Sequence, residues 1–182
     1  MGQDRAGPFE GCYHIDDQLM AGPYPGARRL SDIETNLLSL LDAGIDCFID
    51  LTEVYEGQRF GRPLPPYEGL LSSIAEQRGT PIVYRRFPIE DMDVPDETEM
   101  TAILDAIDQA RKAGHHVYVH CLGGVGRTGT VVGCWLARHG IASGGQALRA
   151  ISALREYEEG KHMQSPQTRK QCDMVRQWEQ GR

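Results

Sequence analysis

Apolar residues recur along the chain in two rhythms, and their alternation outlines a fold. Ile33, Leu37, Leu40 and Leu41 repeat at the spacing of one helical face. Ser31 opens that segment with Glu34 three residues on, a capping-box pattern, and Gly44 stops it. Tyr67, Leu70, Leu71 and Ile74 repeat in the same way up to Gly79. Met100, Ile103, Leu104 and Ile107 do so between an Asp96/Glu99 capping box and Gly114, with Arg111 and Lys112 at the end where the helix dipole favours cations. Between these segments stand short apolar runs suited to buried strands: residues 46–51, Ile82-Val83-Tyr84 and Val117-Tyr118-Val119. Tyr13–Ile15 and Leu19–Ala21 around Asp16-Asp17 read as a hairpin, Gly22–Gly26 as a rigid turn, and residues 52–66 as loop. Three helices complete the chain: one through Val131, Val132, Trp135 and Leu136, one over residues 143–157, and one opened by Ser165 with Pro166 in its first turn. Strands alternating with helices predict a single α/β domain over residues 1–182, with a central, mainly parallel twisted sheet flanked by helices. Such sheets carry their ligand sites beyond the carboxyl ends of the strands, which directs attention to the loop after Val119.

Composition narrows the class. The chain has 182 residues, with 19 Lys and Arg against 26 Asp and Glu, a net charge of −7. That balance argues against nucleic acid or an anionic membrane as partner. A chain this long buries roughly 70 % of its unfolded surface and needs no covalent staples. Its five cysteines are odd in number and irregularly spaced, unlike a disulfide framework. No run approaches the ~18 apolar residues of a membrane span, and the first ten residues contain no apolar segment of a secretory signal. Met1-Gly2 begins a myristoylation pattern, but Ala6 stands where Ser or Thr is required. These features read as a reduced, cytoplasmic, monomeric protein.

The loop after Val119 runs His120-Cys121-Leu122-Gly123-Gly124-Val125-Gly126-Arg127-Thr128-Gly129. Glycines let successive backbone N–H groups turn inward and form an anion nest. The helix that starts near Arg127 adds its free N–H groups and positive dipole end. Arg127 presents a planar fork that matches two phosphate oxygens. A cysteine in such a cup is expected to have its pKa lowered from ~8.5, leaving a thiolate nucleophile. Thr128 is placed to hydrogen-bond the sulfur and ease its departure. The pattern describes phosphoryl transfer to Cys121.

These residues resemble the HCxxGxxR[S/T] signature of the cysteine-dependent protein tyrosine phosphatases. They are similar in particular to the small dual-specificity branch and its kinase-associated phosphatase type. Two further segments match: Phe87–Asp96 is similar to the mobile acid loop of that family, and Gln167-Thr168-Arg169-Lys170-Gln171 to its glutamine loop. The resemblance implies a two-step reaction. Cys121 attacks phosphorus while a carboxylic acid protonates the leaving oxygen, and water then hydrolyses the phosphocysteine. The backbone of Leu122, Gly123, Gly124, Val125 and Gly126, with Arg127, would hold the phosphate oxygens. Gln167 would orient the water, with Gln171 supporting it one turn later on the same face. No metal or cofactor is called for.

The acid is chosen among Glu90, Asp91, Asp93, Asp96, Glu97 and Glu99. The last three read as the cap and acidic first turn of a helix. Asp91 lies 30 residues before Cys121, the separation that the resemblance implies, and it is favoured over Asp93.

Plainer readings apply elsewhere. His115 and His116 read as turn residues rather than zinc ligands, and His120 as a group that orders the loop through hydrogen bonds. Cys12, Cys47, Cys134 and Cys172 read as small core residues, with Cys47 and Cys134 as candidate partners for an oxidised Cys121. Trp135 and Trp178 read as core. Arg85 and Arg86 point to opposite faces, so at most one reaches the site. No lysine lies between Cys121 and Arg127, which favours a phosphorylated protein or peptide over a polyphosphorylated headgroup. The alternatives are an inositol-polyphosphate or other small-molecule phosphatase, and a phosphopeptide-binding module without turnover.

Overall fold

Strand residues that alternate between two apolar clusters place this sheet between two helical layers. The computed structural model describes residues 7–27, 29–54, 56, 61, 64–156 and 162–182. Five strands form one sheet in the order β1-β2-β5-β3-β4. They are β1 Tyr13–His14, β2 Leu19–Gly22, β3 Cys47–Asp50, β4 Val83–Arg86 and β5 Val117–His120. β1 is antiparallel to β2, and every other pairing is parallel. The helices are α1 Ile33–Asp42, α2 Glu68–Arg78, α3 Glu97–Lys112, α4 Gly126–Arg138, α5 Gly144–Leu154 and α6 Arg169–Gln177. Ala21, Cys47, Ile49, Val117 and Val119 pack with residues of α3, α4, α5 and α6. Met20, Phe48 and Tyr118 face the other way, onto α1 and α2. β2, β3 and β5 are buried at every residue, as expected of parallel strands covered on both faces.

The expected α/β architecture is therefore present, with local corrections. The Ser31/Glu34 capping box does not form: Leu30–Asp32 make a 3-10 turn, and α1 follows it without a side-chain cap. Leu70 is exposed, so α2 buries Leu71, Ile74 and Ala75, with Tyr67 buried just before its first turn. The last helix does not begin at Ser165. It begins at Arg169, where Thr168 and Gln171 form a capping box, and the Ser165-Pro166 bond before it is cis. The Asp96/Glu99 box and the buried face of α3 form as read. Tyr157, the Met1-Gly2…Ala6 pattern and part of the 52–66 loop lie outside the described residues.

Strand register sets the level of the site. Gly22, His120, Asp50 and Arg86 are mutual register partners across four strands. The chain leaves the sheet just beyond them, at Pro23, Cys121, Leu51 and Phe87, so these four exits crowd one end.

Candidate active site

The glycine-rich loop leaves β5 at Cys121, which is 3 % exposed, and enters α4 at Gly126. The neighbouring exit from β2 shapes it. Tyr24 N–H donates to the Leu122 carbonyl at 3.0 Å. Gly124 has φ +70°, and a Cβ there would lie 2.5 Å from the Gly22 carbonyl carbon and 2.6 Å from Pro23 N. Only glycine meets both conditions. On the far side, the Ser165 hydroxyl donates to the Val125 carbonyl at 2.7 Å. Gly123 faces open space.

Arg127 projects from the first turn of α4 and is 2 % exposed. It makes a bidentate pair with Glu56, with both Nη1 and Nη2 at 2.6 Å from its carboxylate. Nη1 also donates to the Ile89 carbonyl at 3.0 Å, and Nη2 lies 3.1 Å from Asp91 Oδ1. Burial works against the charge, but the carboxylate of Glu56, the Cys121 side chain and Asp91 outweigh it and raise the guanidinium pKa. Within this site, Arg127 Nε and Thr128 Oγ1 are buried and meet no hydrogen-bond partner among the described residues. The expected bond from Thr128 to the Cys121 sulfur is therefore not formed. The unpartnered Nε–H is the one guanidinium donor nitrogen without a protein partner among the described residues, and it suits an oxyanion.

His120 lies beneath the loop, fully buried. Its Nδ1 is 3.0 Å from the Cys121 carbonyl, and its Nε2 is 2.6 Å from the Tyr67 hydroxyl. A carbonyl can only accept, so the proton sits on Nδ1 and the Tyr67 hydroxyl donates to Nε2. Burial depresses the imidazole pKa despite Asp50 nearby, which keeps the ring neutral. Burial and Asp50 likewise hold Tyr67 well above the ordinary phenol range. Asp50 is itself buried and accepts from Thr52 N at 2.8 Å, from the Thr52 hydroxyl and Tyr84 hydroxyl at 2.6 Å each, and from Arg86 at 3.0 Å. Burial opposes its ionisation; the bonds from the Thr52 and Tyr84 hydroxyls and the Thr52 N–H outweigh that and lower its pKa. His120 is thus bonded to the loop at the Cys121 carbonyl. Arg85 is exposed, and Arg86 alone of that pair turns to this network.

The acid loop begins where Ile89 N–H donates to the Leu51 carbonyl at 3.1 Å. Asp93 N–H closes a tight turn onto the Glu90 carbonyl at 3.1 Å, with Met92 in the left-handed region at φ 66°. The two aspartates of this turn have different partners. Asp91 meets Arg127, whereas Asp93 is 3.1 Å from Lys170 Nζ on α6. Gln167 precedes α6 rather than lying on it, so the two glutamines do not share a helix face. The Gln167 side chain still reaches α4: its Oε1 would lie 2.7 Å from a Cβ on Gly126. Gln171 is fully buried and donates to the Asp93 carbonyl at 3.1 Å.

Glu56, Asp50, Tyr67 and Ser165 are site residues that the motif search did not find. Asp50 had a visible signal, a carboxylate ending an apolar strand run; Glu56 in a glycine- and proline-rich loop had none. Cys47 and Cys134 do not reach Cys121. Cys47 is in register with Val117, four residues and about 13 Å back along the strand direction. Cys134 stands eight residues into α4, about 12 Å along its axis. A disulfide needs Cα atoms within about 7 Å. Burial raises the Cys47 pKa to about 11 and that of Cys134 higher still, so both stay thiols.

Comparison with known proteins adds family to this geometry. The family model described as "Tc-R-P: Polymorphic toxin system, DSP-PTPase phosphatase" matches residues 25–141. An uncharacterised protein of Methanocaldococcus jannaschii, MJECL20, is 43 % identical over 54 residues, 30 % of this chain and 37 % of that protein. The candidate tyrosine phosphatase 067L of Invertebrate iridescent virus 3 is 26 % identical over 133 residues, 70 % of this chain and 46 % of that protein. The chain thus spans less than half the length of either relative. Among solved structures, the kinase-associated phosphatase with serine in place of its catalytic cysteine has a TM-score of 0.67. It is 22 % identical, covers 86 % of this chain and 83 % of its own, and shares the fold.

Proposed function

The chain belongs to the DSP-PTPase phosphatase family of polymorphic toxin systems, within the cysteine-dependent protein tyrosine phosphatase superfamily, and we propose that it hydrolyses phosphoprotein through a phosphocysteine on Cys121. The observation that carries this reading is Arg127, a buried guanidinium bridging Glu56 and Asp91 six residues after Cys121. In the first step the Cys121 thiolate forms a bond to phosphorus as the bond to the leaving oxygen breaks, and Asp91 gives that oxygen its proton. In the second, water attacks phosphorus, Asp91 takes the water proton, and Cys121 leaves as thiolate. Arg127 and the N–H groups at the start of α4 stabilise the equatorial oxygens in both steps. Gln167, whose side chain lies against Gly126, orients the water in this reading. No step calls on a metal.

Leu122, Gly123, Gly124, Val125 and Gly126 supply no cation beyond Arg127. That suits a single phosphomonoester on tyrosine, serine or threonine rather than a polyphosphorylated ring. The test is turnover of p-nitrophenyl phosphate in EDTA by the wild type and by Cys121→Ser. Activity confined to the wild type is expected, and equal activity sinks the mechanism. Phosphotyrosine peptides, phosphothreonine peptides and inositol phosphates then rank the substrates. Faster release from inositol phosphates would move the reading to a small-molecule phosphatase, and binding without release to a phosphopeptide-binding module.

A further inference from the structure

The acid loop is anchored at both ends of its turn, and the second anchor has no part in the reaction as written above. The front anchor is Ile89, bonded through its N–H to Leu51 and through its carbonyl to Arg127. The rear anchor is Gln171. Its Nε2 donates to the Asp93 carbonyl at 3.1 Å, while its Oε1 accepts from Gln167 N and Thr168 N, each at 3.1 Å. The same side chain rests against the first residue of α4: its amide atoms would lie 3.1 Å from a Cβ on Gly126. Lys170 adds an exposed ion pair to the Asp93 carboxylate. Asp91 lies between these anchors, in the turn that Asp93 N–H closes onto Glu90.

We propose that Gln171 is a positioning residue that holds the acid loop over Cys121 through the Asp93 carbonyl, and so acts through Asp91 rather than on water. The proposal rests on the phosphatase reading above. A fully buried amide that spends its acceptor on the α6 cap and its donor on the loop has a fixed geometry, and a loop pinned on both sides keeps its carboxyl within reach of the leaving oxygen. Lys170 contributes less, because an exposed pair is weak and screened by salt.

Gln171→Glu isolates the donor: it keeps the oxygen acceptors that cap α6 and loses the N–H to Asp93. Turnover of a series of aryl phosphates reads the acid's contribution, since poor leaving groups need the proton most. With phenyl phosphate the variant should lose at least about tenfold in kcat, a share of the 10²–10⁴ typical of general acids, and with a dinitrophenyl phosphate less than about threefold. In an Asp91→Asn background the same change should cost nothing further. A uniform loss across the series, or a further loss in that background, overturns the proposal. Hydrogen–deuterium exchange provides a readout without turnover. Amides of residues 89–94 should exchange faster in Gln171→Glu than in the wild type, with residues 121–127 unchanged, and equal exchange over 89–94 overturns the proposal whatever the kinetics. Failure of the phosphatase reading has a separate signature, equal activity of the wild type and Cys121→Ser.

Discussion

Removing Glu56 is the most direct perturbation of the site, because it strands a buried cation. Arg127 and Glu56 expose 1 % and 0 % of their side chains and share two 2.6 Å contacts. Truncating one partner of such a pair costs about 3–5 kcal/mol, since the remaining charge stays buried. Asp91 and the Ile89 carbonyl still contact the guanidinium, which places Glu56→Ala near the lower end, at about 3 kcal/mol. For a chain of this size each kcal/mol moves the melting temperature by roughly 2–4 °C, so a loss of about 6–12 °C is expected. Thermal melts and urea titrations measure it directly. Activity should fall with stability, because Arg127 keeps its orientation toward the loop only while Glu56 holds the opposite edge. Glu56→Leu combined with Arg127→Met supplies the control: it removes both charges, so it should melt above Glu56→Ala although it is inactive. A melting point for Glu56→Ala within about 2 °C of wild type would refute the claim that this pair fixes Arg127.

Three further outcomes follow from the same geometry. Gly124→Ala should lose nearly all activity and several degrees of stability, because its Cβ would meet backbone at 2.5 Å under a φ of +70°, whereas Gly123→Ala, whose Cβ meets nothing within 4 Å, should stay close to wild type; a reversed ranking refutes the packing argument. Asp91→Ala should cut kcat by about 10²–10⁴ and flatten the alkaline limb of its pH profile, where a general acid has lost its proton, while Asp93→Ala keeps its backbone carbonyl and loses far less; a larger loss at Asp93 reverses the assignment. His120 has a depressed pKa in the fold, so the unfolded chain binds more protons below about pH 6.5, and the stability present above that pH drains away as pH falls toward the folded value; urea unfolding at several pH values should show this slope in the wild type and not in His120→Asn, and a slope shared by both would exclude His120 as its source.

Periodicity located the sheet and most helices because burial selects their faces directly. Met100, Ile103, Leu104 and Ile107 are all buried, as their spacing requires, and the box that opens α3 is satisfied within four residues. Local signals failed where a competing contact lay far away in sequence. Ser165 looked like a helix cap, but its hydroxyl is taken by Val125, forty residues earlier, and the cap passes to Thr168. Gln171 reads as a partner of Gln167 one turn later on a helix face, yet it caps the helix and bonds to the Asp93 carbonyl instead. Glu56 was illegible for the same reason: its partner is 71 residues away, and the loop that carries it has no period.

The net charge of −7 also reads differently once partners are known. Six carboxylates fall between Glu90 and Glu99, beside the site proposed to bind a phosphate dianion. Their sum suggests repulsion, but their contacts do not. Asp91 faces Arg127, Asp93 faces Lys170, Asp96 and Glu99 bond to backbone N–H groups at the start of α3, and Glu97 pairs with Arg182. Each of these five thus meets a cation or a backbone donor within a few ångströms, inside the ~8 Å over which charges act at physiological salt. Under the proposed function, an arriving phosphate meets at short range the unpartnered Nε–H of Arg127, together with the N–H groups at the start of α4. Net charge governs the long-range approach of partners, and the buried guanidinium governs the site.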